Sequence, residues 1–533
     1  MPTFKLDGRE IPFEPGDTII RAAHRQGIDI PHYCWHPGLS VAANCRMCLV
    51  EILPPPGGRA MMLDILEWDP QKQDYVPQKK PKLQPACQVQ VTEGMEVKAD
   101  TSAEVQRARG AVQELLLLNH PVDCPICDQA GECRLQDYWL EHGRKLKRMR
   151  DEIVHKPKAV VFGPHIVYDA ERCIVCTRCV RFCAEVAKDP VLDERQRGNL
   201  TEITVSPGRQ LDHPYSLMTE HVCPVGALTS RDFRFKARVW FLRSARTICQ
   251  GCATGCNAYL DYDPRNQTPY RHRPRENMEV NTYWMCDEGM LSYRRILENR
   301  LLEPRVGGQP ATFEQALAEV KRLFEGAAPE KVAVVLSAQH SNEDNFALLQ
   351  LARDYIGTGE IFVSGRAKGE GDDILRKEDK NPNTTGVMQL AGTIAPKPLE
   401  QMFEGILLGR YTHVVALGAE IGDSAIGAGP LAKLKALVTI AVHEGPLVQA
   451  AKVALPACSW AETEGTYVNF KGIAQRSEKA IEPRGQSRPA WEILGRVGQA
   501  LGYATDWKKL KEVRKAMAPE PGAVLPVSAT AGV

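Results

Sequence analysis

A chain of 533 residues is long enough for several domains, since one hydrophobic core rarely grows past about 250–300 residues. Its charge is nearly balanced, 67 Lys and Arg against 66 Asp and Glu, which leaves no global field to steer it toward nucleic acid or an anionic lipid surface. No apolar stretch approaches the roughly 18 residues of a membrane helix, and the opening MPTFKLDGREIPF alternates like a strand and lacks a signal peptide's charged start and apolar core.

These features predict a soluble chain in the cytoplasm. Its 17 cysteines then stay reduced, which favours metal ligation over disulfides. Fifteen of them fall, with one histidine, into four sets of four, all before residue 290.

Short strands are predicted at Thr3–Leu6, 11–13, Leu49–Leu53 and 89–97, with one helix at Ile19–Arg25. The loop from His32 to Met47, with Cys48 at its end, contributes Cys34, Cys45 and Cys48, and Cys87 follows on a later segment. One loop supplying three thiolates and a distant segment the fourth is the logic of a [2Fe–2S] ferredoxin, although the C-x10-C-x2-C spacing is not plant-type. PPPGG and DPQKQ bracket a protruding hairpin between Cys48 and Cys87. Zinc is the alternative for this set, but four-thiolate zinc usually takes two C-x2-C pairs.

A helix follows, with Thr101 and Glu104 as a capping box and Val105, Ala108, Val112 and Leu115 on one face. Asn119, His120 and Pro121 end it, and His120, Cys124, Cys127 and Cys133 form the second set. A lone histidine is commonly structural. One just ahead of C-x2-C reads as a ligand, and a neutral imidazole makes a cluster less negative and raises its potential. The basic run 144–150 reads as a solvated helix face.

Cys173, Cys176, Cys179 and Cys183 repeat the bacterial ferredoxin run C-x2-C-x2-C-x3-C. In such folds the first three ligate one cluster, and a remote Cys-Pro supplies its fourth ligand. Cys223 and Pro224 are that pair. The three cysteines expected ahead of them are replaced by His213, Ser216 and Thr219. One cluster is therefore lost, the third set is Cys173, Cys176, Cys179 and Cys223, and Cys183 is a buried thiol. The fourth set is Cys249, Cys252, Cys256 and Cys286, where Gly251 and Gly255 let the backbone wrap closely.

Beyond residue 296 apolar runs at 331–337, Ile361–Ser364, His413–Leu417 and 437–442 alternate with helical patterns such as 345–356, predicting a parallel, Rossmann-like α/β domain. Gly418 and Gly422, and Gly365, Gly369 and Gly371, read as turn glycines because none belongs to G-x-G-x-x-G. Cys458 is given no chemistry. Residues 518–533 read as a disordered tail.

The order of the sets, carried by PHYCWHPGLSVAANCRMCLVEI, NHPVDCPICDQAGECRLQDY, RCIVCTRCVRFC and CPVGALTS, resembles the large iron–sulfur subunit of NADH:quinone oxidoreductase, bacterial complex I. The resemblance covers roughly residues 1–290. The later half, with EGTYVN and SRPAWEIL, more loosely resembles a truncated molybdopterin-oxidoreductase fold. It implies an α+β multidomain chain: a [2Fe–2S] ferredoxin-like β-grasp at 1–100, a His/Cys3 [4Fe–4S] segment at 101–140, and a ferredoxin-like domain at 141–238. A 4Fe–4S domain of the molybdopterin-enzyme type follows at 239–295, then the α/β domain at 296–517.

The resemblance further implies one [2Fe–2S] and three [4Fe–4S] clusters without molybdopterin. These would relay electrons from a flavin- and NADH-binding subunit toward quinone, through sets one, three and two in that order, with set four off the path. Partners would be that subunit and other peripheral-arm subunits, with the membrane arm reached indirectly, on the cytoplasmic face of the inner membrane. A molybdenum formate dehydrogenase is disfavoured because only about 245 residues follow Cys286. An iron-only hydrogenase needs several more cysteines than Cys458, and a zinc-stabilised binding protein is the reading from another class.

Overall fold

A computed structural model describes residues 1–54, 59, 61–144, 148–392, 394–418, 429–504 and 507–517. The chain forms two compact units, Met1–Trp240 and Phe241–Val533. No helix among the described residues is long and apolar enough to cross a membrane.

In the first unit Phe4, Leu6 and Ile11 alternate with polar residues. This period-2 pattern gives Thr3–Leu6 (β1) and Arg9–Pro12 (β2), joined through Asp7 and Gly8 at φ 50° and 83°. Ile19–Arg25 (α1) buries Ile19, Ile20, Ala22 and Ala23 in the same core. Leu49–Leu53 (β3), Met62–Asp69 (β4), Asp74–Pro81 (β5), Gln84–Pro85 (β6) and Glu96–Lys98 (β7) follow. The sheet runs β2-β1-β7-β3-β6, with β1 and β7 parallel, which is a β-grasp. β4 and β5 form the expected hairpin between Cys48 and Cys87. The strand expected at 89–97 is shorter, because Val89 and Val91 bond to Ile19 and Asp17 beside α1 instead of joining the ladder.

Ala103–Leu117 (α2) and Arg134–His142 (α3) pack together and cross closely at Gly110, where a Cβ would stand 3.0 Å from the His142 carbonyl. The cap of α2 is Ser102, one residue past the expected Thr101, and it accepts from Val105 N–H. Its buried face is Val105, Arg109 and Gln113, while Leu115 is 67% exposed. Polar partners decide this: Arg109 reaches Asp100, and Gln113 bonds Tyr33. The described residues of the basic run, 144 and 148–150, do not form the expected helix face, since α3 ends at His142. Arg144 and Arg148 both pair with Glu114, and residues 145–147 lie outside the described ones.

Val160–Val161 (β8), Ile166–Tyr168 (β9), Arg178–Glu185 (α4), Leu192–Arg195 (β10), Glu202–Val205 (β11), Met218–Val222 (α5) and Leu228–Ser230 (β12) complete this unit. β10 and β11 form a hairpin, and β12 returns from far along the chain to pair antiparallel with β9. Two antiparallel strand pairs, with α4 and α5 between their strands, thus give the ferredoxin-like pattern.

The second unit opens with an antiparallel sheet of Arg243–Ile248 (β13), Asn257–Asp263 (β14) and Thr268–Pro274 (β15), then the short helix Asp287–Leu291 (α6). Next comes a seven-stranded sheet built from Arg305–Val306 (β16), Gln309–Pro310 (β17), Val332–Ser337 (β18), Ile361–Ser364 (β19), His413–Leu417 (β20), Ala436–Ala441 (β21) and Val453–Pro456 (β22), in the order β17-β16-β22-β21-β20-β18-β19. Pairs β19/β18, β18/β20, β20/β21 and β21/β22 are parallel, and β18 and β21 are buried along their whole length. That full burial explains their unbroken apolar runs. Two apolar cores lie in this domain, one including Phe313 and Trp491, the other Phe403 and Tyr411. Gly422 and the tail 518–533 lie outside the described residues.

Candidate metal centres

The first unit holds three of the cysteine sets and the second unit the fourth. In set one, Cys34, Cys48 and Cys87 are buried, and Cys45 is half-buried. The loop reaching Cys48 is tied to the segment before Cys87 by Ala86 N–H donating to the Cys48 carbonyl at 2.9 Å. Thiol–thiol hydrogen bonds group these residues as Cys34 with Cys45 and Cys48 with Cys87. Within each pair one thiol is lowered, Cys34 to about 5, and the other is raised by the same contact. Two pairs suit a two-iron core in which each iron takes two thiolates.

In set two the end of α2 delivers His120, and Cys133 begins α3, where the amides of Leu135 and Gln136 face its sulfur. Burial holds His120 down to about 4, so its ring is neutral at physiological pH, and its Nδ1 is buried with no hydrogen-bond partner. A neutral, unpartnered imidazole among three thiols is what a cluster ligand requires before loading. A cavity of about 500 Å³ opens on His120, Cys124 and Cys133.

In set three Cys176 and Cys179 are buried and Cys173 and Cys223 half-buried. Val175 N–H donates to Cys173 Sγ at 3.3 Å, and the Tyr168 hydroxyl also bonds that sulfur. Cys183 turns away, its Sγ 3.5 Å from His213 Nε2, with Ser216 and Thr219 buried as well. The residues standing where a second cluster's ligands would be thus fill that space with polar contacts of their own. Set four lies where β13 meets β14: Cys249 N–H donates to the Cys256 carbonyl at 2.8 Å, and Gly251 N–H to Cys249 Sγ at 3.3 Å. Cys286 begins α6 and accepts from Gly289 N–H at 3.4 Å. Gly255 has φ 58°, as a tight wrap requires.

Two features recur across the sets. Four β-branched residues among those described hold positive φ, and each lies within four residues of a predicted ligand: Val122 (51°), Val175 (49°), Thr177 (59°) and Thr282 (49°). Such backbone turns successive amides toward one point and makes anion-binding concavities. Burial also suppresses ionisation, lifting Cys133, Cys173, Cys176 and Cys223 to about 11 and Cys286 to about 12. Iron must displace these protons, so loading is coupled to proton release.

Among the described residues no three His, Cys, Asp or Glu side chains gather tightly enough to hold one metal ion. Thiolates round an iron–sulfide core stand further apart than the roughly 3.8 Å of four round a single zinc, so the spacing is no obstacle to a cluster. The donor chemistry, the orphaned His120 nitrogen and the amides aimed at sulfur all fit iron–sulfur groups. Each such group, when bound, supplies one reversible electron.

The sets are also joined to one another. Asn44, in the first loop, donates to the Val175 carbonyl at 3.2 Å. Arg134 N–H, beside Cys133, donates to the Pro224 carbonyl at 3.1 Å, and a Cβ on Gly226 would stand 2.4 Å from Cys127 Sγ. Sequence reasoning passed over Gly226, although its place in C-P-V-G was a signal. Tyr168 gave none, lying on a strand five residues before its sulfur.

A β-grasp, a His/Cys3 segment and a half-degenerate ferredoxin in one unit, followed in the next by a further cysteine set on a three-stranded antiparallel sheet ahead of an α/β domain, define a multidomain iron–sulfur protein. Family models match four stretches of the chain, in that order. Residues 1–102 match the 2Fe-2S iron-sulfur cluster binding domain, and 109–148 the NADH-ubiquinone oxidoreductase-G iron-sulfur binding region. Residues 163–229 match the NADH-quinone oxidoreductase subunit 3 ferredoxin-like domain, and 413–500 the molybdopterin oxidoreductase family.

Among curated relatives, the G subunit of NADH-quinone oxidoreductase from Streptomyces coelicolor is 33% identical over 68% of this chain and 41% of its own length. Its counterpart from Rickettsia conorii is 35% identical over 68% and 50%. The one from Rickettsia felis is 29% identical over 98% of this chain and 90% of its own. In sequence and in the order of its matched domains the chain is similar to the G subunits of NADH-quinone oxidoreductase. It spans half or less of the first two relatives and nearly all of the third. A solved chain from an NAD+-reducing [NiFe]-hydrogenase is 28% identical and covers 45% of this chain and 91% of its own, at a TM-score of 0.36, too loose to define a shared overall fold.

Proposed function

We propose that this chain is an electron-relay subunit of NADH:quinone oxidoreductase, passing electrons from a reduced flavin in a partner subunit toward quinone, coupled in the whole complex to proton translocation. Its ligands are Cys34, Cys45, Cys48 and Cys87 for one [2Fe–2S] cluster. Three [4Fe–4S] clusters take His120, Cys124, Cys127 and Cys133; Cys173, Cys176, Cys179 and Cys223; and Cys249, Cys252, Cys256 and Cys286. The division at residues 100, 140, 238, 295 and 517 follows these sets. The chain binds no substrate itself and works as a peripheral subunit on the cytoplasmic face of the membrane, beside the flavin subunit.

One observation carries the reading: within a single compact unit three cysteine sets are linked in series by direct contacts. Set one reaches set three through Asn44 and Val175, and set three reaches set two through Pro224, Gly226 and Cys127. This favours the order one, three, two. Tunnelling falls steeply with distance, so contacts of this kind are the parts a relay needs, and ligand type, burial and amide bonds to sulfur adjust each potential.

Low-temperature EPR during stepwise anaerobic reduction tests the count, with one [2Fe–2S] and three [4Fe–4S] signals expected. Cys176→Ala should remove one [4Fe–4S] signal and stop NADH-to-quinone transfer in the assembled complex. Normal quinone reduction without that signal would refute the assignment.

A further inference from the structure

The ferredoxin run reads Cys176-Thr-Arg-Cys179-Val-Arg, so Arg178 and Arg181 fall three apart at the start of α4 and share a face. Neither is a ligand type, and set one lies far away in sequence. Yet both side chains reach the Cys34 loop.

Arg178 is buried, 5% exposed. Its guanidinium donates to the Trp35 carbonyl, next to Cys34, and at 3.3 Å to the Val222 carbonyl, next to Cys223. Its Nε is buried without a partner, and no carboxylate is among its partners in the described residues. Arg181 Nη2 donates to the carbonyl of Cys34 at 2.6 Å and to that of Cys176 at 3.2 Å, so one nitrogen spans residues of two sets. Its Nη1 reaches the Ser40 carbonyl. Glu185, one turn along the helix, is instead engaged by Ser40 N–H at 2.8 Å and by the Ser40 hydroxyl.

A buried guanidinium facing only carbonyls is expensive, because desolvation of an ion costs several kcal/mol even after relaxation. An anion nearby would offset that cost. A thiolate-ligated cluster is an anion and gains a further negative charge on reduction. A cation held between two such centres stabilises the reduced form of each and weakens the repulsion between them when both are reduced. The shared hydrogen bonds also fix the separation of the two ligand loops.

We propose that Arg178 and Arg181 form a cationic joint between the first and third cysteine sets that raises the reduction potentials of both clusters and holds their spacing. They are positioning residues: neither touches iron. The proposal rests on the ligand assignment above, and its test separates the two.

In EPR-monitored redox titrations of the full-length protein, Arg178→Gln keeps donors and removes charge. It should lower the potentials of the set-one and set-three signals by at least tenfold in the reduced-to-oxidised ratio, about 59 mV for one electron. The signal of the His120 set should stay where it was, and Arg178→Lys should restore both potentials. Set-one and set-three signals at wild-type potentials in Arg178→Gln would overturn the proposal. Their absence from the wild-type protein would instead overturn the ligand assignment. Should Arg178→Gln not retain its clusters, Arg181→Gln decides: a smaller shift in the same direction is expected, and unchanged potentials would overturn the joint.

Discussion

Gly226→Ala is the sharpest test of how the second and third sets meet. A Cβ built at Gly226 stands 2.4 Å from Cys127 Sγ, 3.0 Å from Gln129 Cβ and 3.8 Å from Arg172 Cδ. A relaxed carbon–sulfur contact is about 1.3 Å longer than the first of these, and the second is already tight. The added methyl cannot be housed without moving either Cys127 or the Pro224–Gly226 segment. Cys127 is held by its own carbonyl, which accepts from Arg238 at 2.6 Å, and the segment by the Pro224 bond to Arg134. Overpacking of this kind costs about 1–3 kcal/mol, roughly a 5- to 150-fold fall in the population holding the native ligand geometry. Iron and acid-labile sulfide counts should therefore drop toward the loss of one cluster, and EPR should show the His120-set signal weakened with the set-three signal retained. A Gly226→Ala protein with the full wild-type complement would refute the close approach.

Other outcomes follow from single residues. His120→Cys should keep a cluster and lower its potential, because a thiolate adds negative charge; an unchanged titration would count against ligation. Cys223→Ala should lose the set-three signal while Cys183→Ala keeps it, since Cys183 faces His213, and the reverse would reassign the fourth ligand. Burial holds His272 at about 4 against an ordinary 6.5. Its contribution, about 3 kcal/mol at most, is complete above pH 6.5 and fades as pH falls toward 4. Unfolding midpoints of the wild-type chain should thus fall more steeply across that window than those of His272→Asn, and parallel slopes would dismiss the effect.

What the sequence disclosed and what it withheld divide along physical lines. Cysteine spacing is local, so four sets could be proposed from the chain, with Cys183 left outside the third, and in the structure Cys183 faces His213. Apolar runs revealed β18 through β21, because a strand covered on both faces has no polar side. The face of α2 was misread: its interior is polar, built by Arg109 and Gln113 through partners that no periodicity reports. The helix expected over 345–356 is α-helical only to Gln350, and Leu351–Ile356 is wound more widely before Gly357 turns at φ 72°. Arg178, Arg181 and Gly226 act across loops distant in sequence, and long-range contacts of that kind need the fold to be seen.

The left-handed Val122, Val175, Thr177 and Thr282 have a bearing on the life of the polypeptide before it matures. Each disfavoured conformation costs about 1–2 kcal/mol, and together they approach a sizeable part of the 5–15 kcal/mol that keeps an ordinary domain folded. Hydrogen bonds from Asn44 to the Val175 carbonyl, from Arg181 to the Thr177 hydroxyl and between Asn277 and Thr282 offset part of that cost, and sulfur acceptors at the centre of each bend would offset more. A newly made, unfilled chain should therefore be cut first at these loops, and limited proteolysis before and after anaerobic loading with iron and sulfide would show it.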